Sequence, residues 1–191
     1  VLGMIMILIC AMMTSIAIVR EKEMGTMEIL LVSPMKPIYI VLSKIAPYFV
    51  LSCINFATII LLSLFVLNVP VAGSFASLIV VSLIYIFVSL ALGLLISTLT
   101  SSQLAAMMIS GMALMIPVML LSGMIFPVEN MPTWLQWISN VVPARWYISA
   151  AKSIMIKGLG ITSVLKELSV LSVMGITLLL ISLKKFKIRL E

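Results

Sequence analysis

The sequence predicts an all-α integral membrane protein with five transmembrane helices. A short helix follows the first span, and a pair of interfacial or re-entrant helices precedes the last. Three observations predict this. Of 191 residues, 63% are hydrophobic and 9% charged, against about 45–50% apolar and about 25% charged in soluble domains. Mean hydropathy is +1.34. Between Lys44 and Glu129 lie 84 residues without one formal charge, a run that a bilayer requires and a soluble core does not.

The elements follow in order within a single transmembrane domain, residues 1–191. About 20 apolar residues cross the ~30 Å hydrocarbon core at ~1.5 Å per residue. Residues 1–19 form the first span, ended by a charge cluster. Residues 45–69 form the second, ended by Pro70. The third, 75–99, starts after the turn signal "PVAGS". The fourth, 104–126, starts after "TSSQ" and stops at Pro127. The fifth, 168–183, is short and crosses if Lys166 and Lys184 extend toward the interfaces. The chain opens with Val inside an apolar run. This reading expects a missing N-terminal portion, since neither the basic region nor the cleavage site of a signal peptide is present.

Basic residues orient the spans. Arg20, Lys22, Lys36 and Lys44 follow the first span, and Lys184, Lys185, Lys187 and Arg189 follow the fifth. Five spans put these eight on one side and leave Arg145, Lys152, Lys157 and Lys166 on the other. The opening loop and the C-terminus are therefore expected in the cytoplasm of a multi-pass membrane protein. The net charge of +6 reads as orientation, not as a nucleic-acid surface.

Composition also excludes chemistry. There is no His and no Asp, which removes His-based catalysis and His metal sites. Cys10 and Cys53 lie in apolar runs and read as packing. No span carries an acid or a base, whereas ion-driven transporters use intramembrane ionisable groups. A membrane-embedded enzyme is disfavoured for the same reason. The chain has no G-x-x-x-x-G-K-[ST] loop to cradle nucleotide phosphates, so no cofactor is expected on it.

Inside the spans, Ser89, Gly93 and Ser97 recur at i, i+4, as do Ser102, Ala106 and Ser110. Such stripes allow close helix approach in lipid; lining a substrate path is the alternative. Asn55 is expected to hydrogen-bond a neighbouring helix, and Pro117 to kink the fourth span.

Between spans four and five, Pro132 opens a short helix over about 132–139, with Trp134, Trp137 and Ile138 on one face. A second helix, about 144–157, puts Arg145, Ser149 and Lys152 on one side and Tyr147, Ala151, Ile154 and Met155 on the other. All three tryptophans, Trp134, Trp137 and Trp146, fall here, as at a membrane interface. Two readings stand: interfacial helices, or a re-entrant pair closing the outer end of a pathway. In the second, Arg145 and Lys152 meet an anionic head group, and Trp146 and Tyr147 line the same external gate.

The stretch "REKEMGTMEILLVSP" holds half of the acids. Gly25 and Thr26 can end span one and cap a new helix over about 26–33, with Glu28 in its first turn. Met27, Leu30 and Leu31 give it an apolar face. Pro34 ends it, and Pro37 keeps the chain from resuming it.

These residues resemble a known family, the ABC type-2 transporter permeases. "REKEMGTMEILLVSPM" is similar to the E-x-E-x-G-T-x-E-x-L-x-x-[ST]-P run after that family's second span. "LSKIAPYFV" is similar to its G-K-x-x-P-Y entry, with Ser43 in place of Gly. "LLSGMIFPVENMPTWLQWIS" and "VVPARWYISAAKSIMIKG" resemble its external segments, with Val142 and Lys152 where Asn and Arg are usual. The resemblance implies a coupling helix that docks on a separate ATP-binding subunit, marked by Glu21, Glu23, Gly25, Thr26, Glu28, Leu30 and Pro34. It implies that ATP and magnesium sit in that partner. It also implies a second permease copy or homologue, and a missing first span with an external domain. The function expected is export of a hydrophobic or amphiphilic substrate of the drug, lipid or glycan class. The alternative is a non-transporting membrane scaffold or sensor that docks the same ATPase.

Overall fold

A computed structural model of the chain describes residues 1–26, 37–66 and 72–188, with the backbone alone at 37 and 186–188. The molecule is an all-α membrane protein, and no strand occurs among the described residues. Among the described residues, five helices are long and apolar enough to cross a bilayer. They are α1 (Leu2–Glu23), α2 (Pro37–Phe65), α3 (Phe75–Leu99), α4 (Gln103–Leu121) and α7 (Leu165–Ile188). Two shorter helices, α5 (Thr133–Ser139) and α6 (Pro143–Met155), lie between α4 and α7.

The centre of the bundle is α3. Of its most apolar window 61% is buried, against 17% in α2, α4 and α7. It packs most extensively on α1 and α7, with α6 across one end. The α1–α3 crossing is tight because Gly93 has no side chain. A Cβ there would lie 2.6 Å from the Ala11 carbonyl oxygen and 2.9 Å from the Thr14 Cβ. Backbone contact of this kind holds helices together where lipid removes the hydrophobic drive between them. Ser89 and Ser97 donate back to the Tyr85 and Leu94 carbonyls, so their hydroxyls are satisfied within α3.

Several boundaries differ from the sequence expectation, each for a physical reason. Helix α1 runs through the charge cluster to Glu23, because those side chains find partners on neighbouring helices. It ends at Gly25, whose φ of +70° only glycine adopts at little cost. Thr26 is itself helical, and its hydroxyl donates back to the Glu21 carbonyl at 3.2 Å. Thr26 stands beyond the Met24–Gly25 turn, where a new helix was expected to begin, and the rest of that stretch, 27–33, lies outside the described residues. Helix α2 starts at Pro37, ahead of the expected Ile45, with proline at the first position, where a missing N–H costs nothing. Helix α4 stops at Leu121, short of Phe126. The last helix is 24 residues long, roughly 36 Å, and it includes Lys166 and Lys184, so its uncharged stretch remains 168–183 and those lysines are still the residues that would extend toward the interfaces.

In α4 the distortion takes the form of a π-turn over Ile109–Ala113. Pro117 lies four residues past Ala113 and offers no N–H to its carbonyl, so the ladder is broken at that point. Asn55 is half-buried on α2, and its amide makes no hydrogen bond among the described residues. The expected bond to a neighbouring helix is thus not made among the described residues.

Candidate functional site

Helix α1 delivers three consecutive charged residues to one end of the bundle. Successive helical residues point about 100° apart, so Glu21, Lys22 and Glu23 reach three different neighbours. Glu21 forms an ion pair with Lys44 of α2. The Lys22 ammonium donates to the carbonyl of Ser97 in the last turn of α3. Glu23 accepts the backbone N–H of Gln103, first residue of α4, at 2.8 Å, and the Gln103 side-chain amide as well.

Each contact answers a local need. The last carbonyls of α3 and the first N–H groups of α4 have no partner within their own helices. A cation suits the negative end of one helix dipole and an anion the positive end of the other. Ser102 adds the side-chain cap of α4, accepting from the Ala105 N–H at 3.2 Å. The end of α1 is thereby tied to α2, α3 and α4 within three residues, immediately before Gly25. Glu28, Leu30 and Pro34 lie outside the described residues. Lys22, Lys44 and Gln103 were absent from the sequence-derived site. The readable signal was a run of charges continuing an apolar helix without a break.

Below this fan, one face of α1 lines an open groove of about 550 Å³. Met13, Ile16, Ala17, Arg20 and Met24 follow one another along that face, with Tyr48 of α2 and Gln103 of α4 as the side walls.

The opposite end carries the tryptophan-rich segment. Trp134 and Trp137 are exposed and Trp146 is half-buried. Arg145 donates to the Gln136 carbonyl at 3.2 Å and to Asn140 Oδ1 at 2.7 Å, with its guanidinium 5.5 Å from the Trp146 ring. The Trp146 indole N–H donates to the Asn140 carbonyl at 2.9 Å. Lys152 donates to the Gly123 carbonyl at 3.3 Å. Arg145 and Lys152 do share a polar cleft of about 310 Å³ with Glu129, Gln136 and Ser149. Both cations hold carbonyls that terminate helices or turns, so they brace α5 and α6 against the end of α4.

Tyr147 departs from its expected place at an external gate. It is buried in the bundle, where its hydroxyl pairs with Ser82 at 3.0 Å. Its ring stacks on Tyr85, whose hydroxyl donates to the Gly3 carbonyl at 2.7 Å. An amphipathic helix shows two faces, and α6 turns Tyr147, Ala150 and Ile154 toward α3 and α7. Among the described residues, no three His, Cys, Asp or Glu side chains converge as a metal site would need.

Comparison with known proteins adds the following. The family model described as "ABC-2 family transporter protein" matches residues 1–184. The "Probable multidrug ABC transporter permease YbhS" of Escherichia coli (strain K12) is 36% identical over 154 residues, covering 81% of this chain and 41% of that protein. The "Inner membrane transport permease YhhJ" of the same strain is 29% identical over 183 residues, 94% of this chain and 48% of its own length. "ABC transporter G family member 20" of Dictyostelium discoideum is 28% identical over 148 residues, 78% of this chain and 20% of that one. The chain thus spans less than half the length of these relatives. No solved structure matches it.

Proposed function

The chain belongs to the ABC-2 family of transporter proteins, and on that premise we propose that it forms the membrane-spanning body of an exporter permease. It moves a hydrophobic or amphiphilic substrate across a bacterial inner membrane, with its charged end and C-terminus in the cytoplasm. ATP and magnesium belong to a separate ATP-binding subunit, which docks on the segment after Gly25. A second permease copy or homologue completes the transporter.

The observation that carries this reading is the fan of Glu21, Lys22 and Glu23. Displacement of the segment after Gly25 would pull the end of α1, and with it the ends of α2, α3 and α4. A single docking segment would thereby move four spans as one body, a rigid displacement of the kind that switches packed helices between discrete arrangements. The uncharged interiors of the spans agree, since energy must enter from outside them.

The test is reconstitution of the full-length permease with its ATP-binding subunit. Gly25→Pro and Glu28→Lys should insert normally yet lose both transport and permease-stimulated ATP hydrolysis. Wild-type coupled hydrolysis in both variants would overturn the assignment. A scaffold would hold the ATPase and transport nothing in the same vesicles.

A further inference from the structure

The groove on α1 has a direction. Its walls change from apolar to charged along one helix face: Met13, Ile16 and Ala17, then Arg20 one turn further. From Met13 to Arg20 is roughly 10 Å of helix. The groove's volume of about 550 Å³ lies within the ~300–1,000 Å³ of small-molecule sites. At the charged end, Glu21 is already neutralised by Lys44. Arg20 is exposed, and its guanidinium makes no hydrogen bond or ion pair among the described residues. Tyr48 and Gln103 add polar groups beside it. The arrangement is an open apolar groove that leads to Arg20, a cation with no ion pair among the described residues.

We propose that this groove binds an anionic amphiphile, its apolar chain along Met13, Ile16 and Ala17 and its carboxylate or phosphate on Arg20. A guanidinium fits either anion through two parallel N–H donors. The charge selects the head, and the single narrow face selects one chain. As a substrate entry point the site rests on the permease reading above; as a binding site it does not.

The probe is a diazirine-bearing palmitic acid, photo-crosslinked at alkaline pH to the full-length permease in nanodiscs of neutral lipid. Crosslinks should map to residues 13–24. Palmitate or dodecyl phosphate should compete, and hexadecanol should not. Arg20→Gln should cut labelling about tenfold, the scale of one charge-assisted contact, and Arg20→Lys should stay within about threefold of wild type. Ala17→Trp, which fills the groove and leaves the charge, should also abolish labelling. Lys184→Gln removes a cation from the same end of the bundle outside the groove and should change nothing. Equal competition by hexadecanol, undiminished labelling of Arg20→Gln, or an equal loss in Lys184→Gln would overturn the site. If labelling follows this pattern but no ATP-driven transport occurs, the permease reading fails and the site stands. If transport occurs without groove labelling, the reverse holds.

Discussion

Tyr147 of α6 stacks on Tyr85 of α3, with ring centroids 4.1 Å apart and planes 7° from parallel. The pair fixes the short helix α6 to the central span, and both hydroxyls are used, on Ser82 and the Gly3 carbonyl. Tyr147→Phe deletes one buried hydrogen bond and should cost about 1 kcal/mol. Tyr147→Ala also opens a cavity and should cost about 3–5 kcal/mol. Thermal unfolding in detergent measures both, and an alanine variant that melts like wild type would remove the pair from the core.

Gly93 and Gly111 make a matched comparison. A methyl at Gly93 meets the Ala11 carbonyl at 2.6 Å, whereas one at Gly111 meets nothing within 4 Å. Gly93→Ala should destabilise by about 1–3 kcal/mol and lower the yield of monodisperse protein. Gly111→Ala should be neutral or slightly stabilising. Similar behaviour of the two variants would contradict the α1–α3 crossing.

Glu21 and Lys44 can exchange charges. Their side chains are 25% and 34% exposed, so the pair adds no more than about 1 kcal/mol to stability. Its effect should appear in coupling. Glu21→Lys and Lys44→Glu should each lower permease-stimulated ATP hydrolysis severalfold, and the double exchange should restore most of it. A double variant as inactive as the singles would argue against the contact.

Glu23 holds the first N–H of α4. Glu23→Ala should release it, so amide exchange around residues 103–106 should speed up while exchange in α3 stays unchanged. Hydrogen exchange by mass spectrometry reads this directly. Protection identical to wild type would mean that the Ser102 cap alone secures α4.

The topology is open to chemical labelling. Ser163 lies exposed between α6 and α7. A cysteine placed there should react with an impermeant thiol reagent added outside intact cells. Reaction only from the inside would invert the proposed orientation.

Much of the fold was legible because lipid selects on local properties. An uncharged run, a tryptophan-rich segment and an excess of bases are all read one stretch at a time. The limits of reading show at particular residues. The apolar span was read as ending at Val19 and the break as coming at Gly25; the helix runs on between them to Glu23, because neighbours compensate its charges. Arg145 and Lys152 were expected to meet a head group only on the re-entrant reading; they share a cleft and also hold backbone carbonyls. Helical spacing put them on one side; what that side meets depends on a loop end that the pattern does not describe.

By itself the sequence determined the membrane class, the five spans, the break at Gly25 and the resemblance to permeases. These follow from residue type and near-neighbour spacing. Only the tertiary structure decided where the charges go. Lys44, Ser97 and Gln103 stand 23, 75 and 80 positions from their partners on α1, and helix packing alone brings them together. It also decided which face of α6 is buried, because an amphipathic helix offers both faces and the bundle accepts the one that carries Tyr147.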